Sequence, residues 1–267
     1  AGHIGTLDPM ATGMLPVLIG NSTKLSKYLI EHDKIYLVEM KFGYLTDTLD
    51  IDGEILEEDR KFREENIVDN EFFDRIIVSM KKELGTKKQI PPIYSAKKLN
   101  GKKLYEIARK DKEKAEEMAK EKSKEITIYN MYDISLKELW ENNPKDISLT
   151  FKVECSSGTY IRSLIRDIAK NMETYGVMTE LKRLSVGKYN MEENILENDF
   201  EDNILKIYTE KEVIEDNFKN SVYLKEHRKK AFLTGLKTSI SSEKYDDGIY
   251  KVYIENNLIG LRRSKKR

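Results

Sequence analysis

The sequence predicts an α+β fold with one large domain and a small β-rich appendix. Strand-like and helix-like segments follow one another without the strict βαβ rhythm of a doubly wound parallel sheet. A chain of 267 residues is long enough to bury a full core in such a large domain. Beyond residue 222 short strand-like stretches alternate with turn residues, which indicates the appendix.

The first hundred residues contain four segments that predict regular or extended structure. Apolar residues at helical spacing predict a helix over 20–31, and β-branched and aromatic residues predict a strand over 34–42. Apolar side chains on one face predict an amphipathic helix over 69–84. The two prolines of 89–96 exclude a helix there, so this segment is expected to be extended.

In the middle of the chain, residues 104–109 are expected to form the beginning of a helix. It is expected to continue, exposed and with few apolar contacts, through the Lys- and Glu-rich stretch 110–125. Strands are expected at 126–138 and 147–155. A helix is expected at 160–173, because isoleucines and a leucine recur there on one face.

The last third begins with 178–190, where a short helix followed by a strand is expected. The acidic segment 192–217 is expected to form a linker and a helix. The segment 222–263 is expected to alternate short strands and turns.

Composition excludes several classes of protein and site. Hydrophobic residues make up 39% of the chain and charged residues 35%, which is typical of a soluble globular protein. No apolar run approaches the roughly 20 residues of a membrane span. The single cysteine excludes an internal disulfide and predicts a cytoplasmic protein. One cysteine and three scattered histidines give no metal-ligand cluster, so no metal is expected.

The net charge is zero, but the charges are unevenly distributed. Segment 81–125 holds 15 basic and 8 acidic residues, whereas 51–80 holds 4 basic and 10 acidic, and 192–217 holds 2 basic and 10 acidic. Such polarity would let a positive patch meet phosphates while acidic faces point away. Solvated helix faces explain the same pattern equally well, so charge alone does not identify a nucleic-acid partner.

The segment 2–16 is the most informative part of the chain. It places a single carboxylate, Asp8, among three glycines and two prolines. Glycine permits close approach and proline fixes φ, so a rigid, irregular loop is expected. A carboxylate presented by such a loop is suited to chemistry. A capping Asp in a tight turn is the alternative for a shorter pattern of this kind.

Three other side chains are candidates to accompany Asp8. A carboxylate that stays ionised in a pocket needs a cation, and Arg162 follows Gly158 in the first turn of a predicted helix. A surface salt bridge is the alternative for an isolated arginine. Tyr36 is either a core residue or a platform on which a flipped base stacks. His3 is able to hydrogen-bond a base or to hold the backbone.

Several segments carry recognisable motifs in a fixed order. They are 2–16, Asp-Lys-x-Tyr at 33–36, Thr-Asp-Thr-x-Asp-x-x-Gly at 46–53, Pro-Pro-x-Tyr-Ser-Ala at 91–96, Cys-Ser-x-Gly-Thr-Tyr-Ile-Arg at 155–162 and Leu-x-Arg-Leu at 181–184. Together they resemble the motifs of the bacterial tRNA pseudouridine synthase B (TruB) family, with a likeness that covers residues 1–190. Family members carry about forty residues before the first motif, so an unpaired sheet edge is expected here.

The resemblance implies a pseudouridine-synthase fold, with a mixed, largely antiparallel central sheet flanked by helices. It implies a catalytic domain over 1–195, an acidic linker or helix over 196–221 and a PUA-like RNA-binding domain over 222–267. In the catalytic set, Asp8 is the nucleophile, Tyr36 stacks on the base and is a candidate proton acceptor, and Arg162 pairs with Asp8. The implied substrate-binding residues are His3, Tyr160, Leu181, Lys97, Lys98, Lys102 and Lys103.

The activity implied by the resemblance is isomerisation of uridine to pseudouridine at position 55 in the T-loop of tRNA, without a cofactor. The base must leave its stack for this chemistry. Whether Asp8 attacks ribose C1′ or base C6, or assists an elimination, stays open. The expected partner is the T-arm of tRNA, with no membrane, no obligatory protein partner and a monomeric state. The alternatives are a tRNA-folding chaperone without chemistry and a guide-RNA-dependent enzyme acting on ribosomal RNA.

Overall fold

The computed structural model describes residues 1–95, 98–99, 102–108, 110–141, 144–191, 207–236 and 246–264. These residues belong to two compact units, Ala1–Asp199 and Phe200–Arg267. Within the described residues, no helix is long and apolar enough to cross a membrane.

Strands and helices are numbered in chain order. The strands are β1 (Gly2–His3), β2 (Thr12–Gly13), β3 (Val17–Leu18), β4 (Lys34–Phe42), β5 (Tyr44–Thr46), β6 (Ile55–Glu58), β7 (Gly85–Gln89), β8 (Lys98–Leu99), β9 (Lys102–Lys103), β10 (Lys124–Leu139), β11 (Asp146–Cys155), β12 (Gly176–Val186), β13 (Tyr189–Asn190), β14 (Asn220–Tyr223), β15 (Gly248–Ile254) and β16 (Asn257–Ser264). The α-helices are α1 (Ser26–Leu29), α2 (Arg60–Glu65), α3 (Asn70–Lys81), α4 (Leu104–Ala108), α5 (Lys112–Glu121), α6 (Ile161–Asn171), α7 (Glu210–Asn217) and α8 (Lys229–Leu233).

The first unit is organised around one large sheet. Its strand order is β13-β12-β4-β11-β10-β7, and β2 also pairs with β12. The β2–β12 pair is parallel, and the other pairs are antiparallel. The α+β class and the mixed, largely antiparallel sheet expected from the sequence are therefore confirmed.

The strand β4 lies near the middle of this sheet and alternates strictly between buried and half-buried residues. Its buried face includes Tyr36 and Val38, which belong to the same apolar cluster as residues of α3 and α6. Helix α6 buries Leu164, Ile165 and Ile168 in that cluster. Each such side chain contributes roughly 1.5–3 kcal/mol. The helix that begins just before Arg162 is therefore firmly held against the sheet.

Two sequence expectations for the first unit were wrong in detail. The predicted helix over 20–31 is a 3₁₀ helix, Gly20–Leu25, followed by the single turn of α1. The helix expected at the start of 178–190 is absent, because β12 is one long strand with partners on both sides. Pairing with neighbours that are distant in sequence has overridden the local preference there.

The Lys- and Glu-rich stretch 110–125 also differs from its expected form. It is not a continuation of α4 but a separate helix, α5, whose N-terminus is capped by Asp111. The alanines Ala115 and Ala119 are buried against Leu104 of α4. Small side chains spaced four residues apart form this contact, so a search for large apolar residues does not reveal it.

The second unit contains a three-stranded sheet of order β14-β15-β16. β14 runs parallel to β15, and β16 runs antiparallel to it. Helix α7 begins with a complete capping box formed by Thr209 and Glu212. The β-rich appendix expected from the sequence is present, whereas its PUA-like character and the boundaries at 195 and 221 stay predictions.

Candidate active site

The loop that carries Asp8 is closed at both ends by strand pairing. Near its start, β1 pairs with β3 through Gly2 and Leu18. Further on, β2 lies beside β12, with Gly13 opposite Arg183. Within the loop, the amide of Ala11 donates to the carbonyl of Asp8 at 2.9 Å. The segment is therefore the constrained, irregular loop that its glycines and prolines predict.

Arg183 supports this loop from inside the protein. Its guanidinium is fully buried, and it donates from Nε to the carbonyl of Met14 at 2.7 Å and from Nη2 to the carbonyl of Gly5 at 3.1 Å. Gly13 lies so close that a Cβ there would be 2.3 Å from the carbonyl oxygen of Arg183, and its φ is +96°. Glycine is therefore required at position 13.

Arg183 had no role in the sequence-based site. The only signal was its place in the Leu-x-Arg-Leu stretch, which does not reveal that the side chain turns inward onto loop carbonyls.

Asp8 and Arg162 form the ion pair expected between them. Nε of Arg162 lies 2.9 Å from Oδ2 of Asp8, and Nη2 donates to Oδ1 at 3.1 Å. The arginine side chain is only 7% exposed, whereas that of Asp8 is 34% exposed. The guanidinium thus contacts both carboxylate oxygens, one through a hydrogen bond from Nη2 and the other through the ion-pair contact of Nε, and leaves the carboxylate open to a ligand.

Arg162 has further partners that keep it in place. Nη1 donates to the carbonyl of Thr48 at 2.9 Å and lies 3.2 Å from Oδ2 of Asp50. Nη2 also donates to the carbonyl of Tyr94 at 3.2 Å. Asp50 lies in the 46–53 motif, from which the sequence predicted no site residue. Its side chain is 8% exposed, so Arg162 joins two carboxylates of which only Asp8 is readily reached from solvent.

The charge of Asp8 contributes to the raised pKa values of Tyr36 and Tyr160. Tyr36 lies opposite Arg183 on the neighbouring strand and is buried. Burial raises the pKa of Tyr36 to about 12, with the Asp8 carboxylate acting in the same direction and Arg183 opposing it. Burial likewise raises the pKa of Tyr160, again with a contribution from Asp8. Both hydroxyls are therefore protonated at neutral pH.

Two other predicted site residues, Leu181 and His3, lie on strands β12 and β1. Leu181 is buried on β12 opposite Val38, in the same apolar cluster as Tyr36. His3 is exposed on β1, opposite Val17.

The four lysines predicted to bind substrate lie in a segment that the structure describes only in part. Lys97 lies outside the described residues. Only the backbone is described for the other three, Lys98, Lys102 and Lys103, which lie in the short β8–β9 ladder. Contacts of these four side chains with RNA stay predictions.

The described part of the chain brings no three His, Cys, Asp or Glu side chains together as a metal centre would need.

The chain is similar in sequence to a known protein family over more than half of its length. The family described as TruB family pseudouridylate synthase (N-terminal domain) matches residues 1–161. The tRNA pseudouridine synthase B of Clostridium kluyveri is 37% identical over 269 residues, covering 99% of this chain and 86% of its own. That of Caldanaerobacter subterraneus subsp. tengcongensis is 43% identical over 191 residues, covering 72% and 60%.

Among solved structures, a Cbf5–Nop10–Gar1 complex contains a chain with a TM-score of 0.60 and 20% identity. The match covers 98% of this chain and 69% of that one, which shows a shared fold. Sequence matches of this length and the shared fold lead to one conclusion: the chain belongs to the TruB family of pseudouridylate synthases.

Proposed function

We propose that this protein isomerises uridine to pseudouridine at position 55 in the T-loop of tRNA. The observation that carries the proposal is Asp8, held by Arg162 through both oxygens and still a third exposed, in a protein of this family. Relatives named tRNA pseudouridine synthase B support both the reaction and tRNA as the substrate.

The reaction rearranges one nucleoside and needs no second substrate. The bond between ribose C1′ and N1 of uracil breaks, the base turns, and C1′ bonds to C5. N1 gains a proton and C5 loses one, so atoms and charge balance. The reaction therefore needs a group that acts on the sugar or base, a surface that holds the detached base, and a route for one proton.

Asp8 is the group proposed to act on the nucleoside. Attack on C1′, attack on C6 and assistance to an elimination all require an ionised carboxylate in a fixed orientation. Arg162 supplies that orientation, because its side-on contact engages both oxygens of Asp8. The contacts of Arg162 with Asp50 and with the carbonyl of Thr48 keep the guanidinium from following Asp8 as the carboxylate reacts.

Tyr36 is proposed to stack on the uracil, with Tyr160 and Leu181 shaping the rest of the pocket and His3 at its rim. With a pKa of about 12, Tyr36 meets the base as a neutral phenol. A neutral phenol serves as a proton acceptor from C5 only if its own proton is passed on as the new one arrives. A stacking role makes no such demand.

Binding to T-arm phosphates is proposed to involve four lysines that follow Ser95 in the sequence: Lys97, Lys98, Lys102 and Lys103. The target uridine must be extruded before it can reach Asp8. The segment 222–267 is proposed to be a PUA-like RNA-binding domain. We also propose a cytoplasmic monomer that works without an obligatory protein partner, metal or organic cofactor.

An unmodified tRNA transcript provides the test. Purified protein is incubated with the transcript and a chelator, without guide RNA, and nucleosides are analysed after digestion. The proposal predicts pseudouridine in this transcript and none in a matched transcript with cytidine at position 55. Formation only with an added guide RNA would favour the guide-dependent alternative, and improved tRNA folding without pseudouridine would favour the chaperone.

A further inference from the structure

The N-cap residue of helix α6 does not cap the helix with its own side chain. Tyr160 occupies the N-cap position of α6, and its side chain makes no capping hydrogen bond. The neighbouring hydroxyl of Thr159 instead donates to the carbonyl of Ser156 at 2.9 Å. The first N–H groups of a helix have no partner within the helix, so the start of α6 depends on groups from elsewhere.

Gln89 provides that support from a different strand. The amide of Tyr160 donates to Oε1 of Gln89 at 2.8 Å, and Nε2 of Gln89 donates to the carbonyl of Tyr160 at 3.1 Å. Gln89 is buried. In a capping box, a Glu or Gln at the third helical position accepts the N-cap amide. The third helical position of α6 is Ser163, and the N-cap amide of Tyr160 is instead accepted by Gln89, a residue of strand β7.

Two further hydrogen bonds extend the same support. The hydroxyl of Ser163 donates to the carbonyl of Ile90 at 2.8 Å, and Nη2 of Arg162 donates to the carbonyl of Tyr94 at 3.2 Å. Gln89 itself ends β7, where its backbone lies opposite Lys124 of β10. The first turn of α6 is therefore tied to the edge of the central sheet through the segment 89–94.

We propose that Gln89 is a positioning residue for the reaction. Its hydrogen bonds to the amide and the carbonyl of Tyr160 fix the residue at which α6 begins. They thereby fix the position at which the guanidinium of Arg162 contacts Asp8. This inference rests on the proposed function. The competing explanation is that Gln89 merely satisfies buried main-chain groups, in which case its loss lowers stability without slowing the folded protein.

The test compares two substitutions that act on opposite ends of α6. Gln89→Met keeps side-chain length but removes both bonds to Tyr160. The matched control, Ser79→Ala, removes the buried bond of the Ser79 hydroxyl to the carbonyl of Ile168, which is 2.7 Å long. Pseudouridine formation is followed in a single turnover with enzyme saturating over tRNA. The proposal predicts a rate about 10- to 100-fold lower for Gln89→Met, with unchanged tRNA affinity, and an unchanged rate for Ser79→Ala.

A conservative variant and a readout that does not use activity complete the test. Gln89→Glu keeps an acceptor for the Tyr160 amide, so its rate should lie between those of wild type and Gln89→Met, and it carries the test if Gln89→Met fails to fold. Hydrogen exchange at the Tyr160 amide should accelerate in Gln89→Met but not in Ser79→Ala.

Equal rates for the Gln89 variants and wild type would overturn the inference, as would a loss fully explained by weaker tRNA binding or by unfolding. A wild-type protein that makes no pseudouridine would reject the proposed function instead. Hydrogen exchange would then still decide whether Gln89 fixes the start of α6, and unchanged exchange in Gln89→Met would overturn that part.

Discussion

Replacing Arg183 with methionine should loosen the loop that presents Asp8. The substitution removes two hydrogen bonds, of 2.7 Å to the carbonyl of Met14 and 3.1 Å to that of Gly5, and a longer contact of 3.5 Å to the carbonyl of Thr6. It leaves a shorter, unbranched and uncharged side chain. Hydrogen bonds from a charged donor contribute about 1.5–3 kcal/mol each, which gives about 3–6 kcal/mol for the two. Removing a buried cation recovers part of this through lower desolvation cost. We therefore expect a net loss of about 2–4 kcal/mol in the free energy of unfolding.

The assay is urea unfolding, with single-turnover pseudouridine formation measured on the folded fraction. Because Arg183 bonds to the loop on both sides of Asp8, the rate should also fall, by about 100-fold. The control is Arg166→Met, which removes a partly exposed arginine paired with its neighbour Asp167 at 2.9 Å and should cost less than about 1 kcal/mol. If Arg183→Met matched this control in both stability and rate, the proposed support of the loop by Arg183 would be wrong.

Two further predictions concern the base platform and the RNA contact. A buried Tyr36 with a pKa of about 12 stays protonated after an unfolded tyrosine has ionised at its usual value of 10.0, so it stabilises the fold below pH 10 and loses that contribution as pH rises towards 12. The unfolding free energy of wild type should therefore fall by about 2–3 kcal/mol relative to that of Tyr36→Phe across this range, and a constant difference between the two would contradict the shift. Charge reversal at Lys97, Lys98, Lys102 and Lys103 should weaken tRNA binding and flatten its salt dependence, whereas an unchanged slope of log Kd against log salt would remove these lysines from the interface.

The pairing of Asp8 with Arg162 was accessible from the sequence, because both residues lie in motifs that match a known family. The role of Asp50 was not. The loop 46–53 contains three aspartates, and which of them turns inward depends on a backbone turn at Leu49, whose φ is +65°. A positive φ at a leucine is rare and has no sequence signature.

Support from distant segments was equally hidden from the sequence. Gln89 and Tyr160 are 71 residues apart, and their hydrogen bonds arise only when β7 and the start of α6 meet. A short helix was expected at the start of 178–190, where the structure has the strand β12. Its strand form depends on pairing with β4 and β2, which are distant in sequence and cannot be identified from the local pattern. The strand β4 was predictable because the β-branched and aromatic residues of 34–42 favour a strand locally, whatever its partners are.

The proposed reaction depends above all on the carboxylate of Asp8. Asp8→Asn keeps the shape of the side chain and removes the charge, and Asp52→Asn makes the same change at an exposed aspartate. With saturating protein and unmodified tRNA, we expect a rate at least about 1,000-fold lower for Asp8→Asn, with tRNA still bound, and a wild-type rate for Asp52→Asn. Pseudouridine formation by Asp8→Asn at the wild-type rate would contradict it.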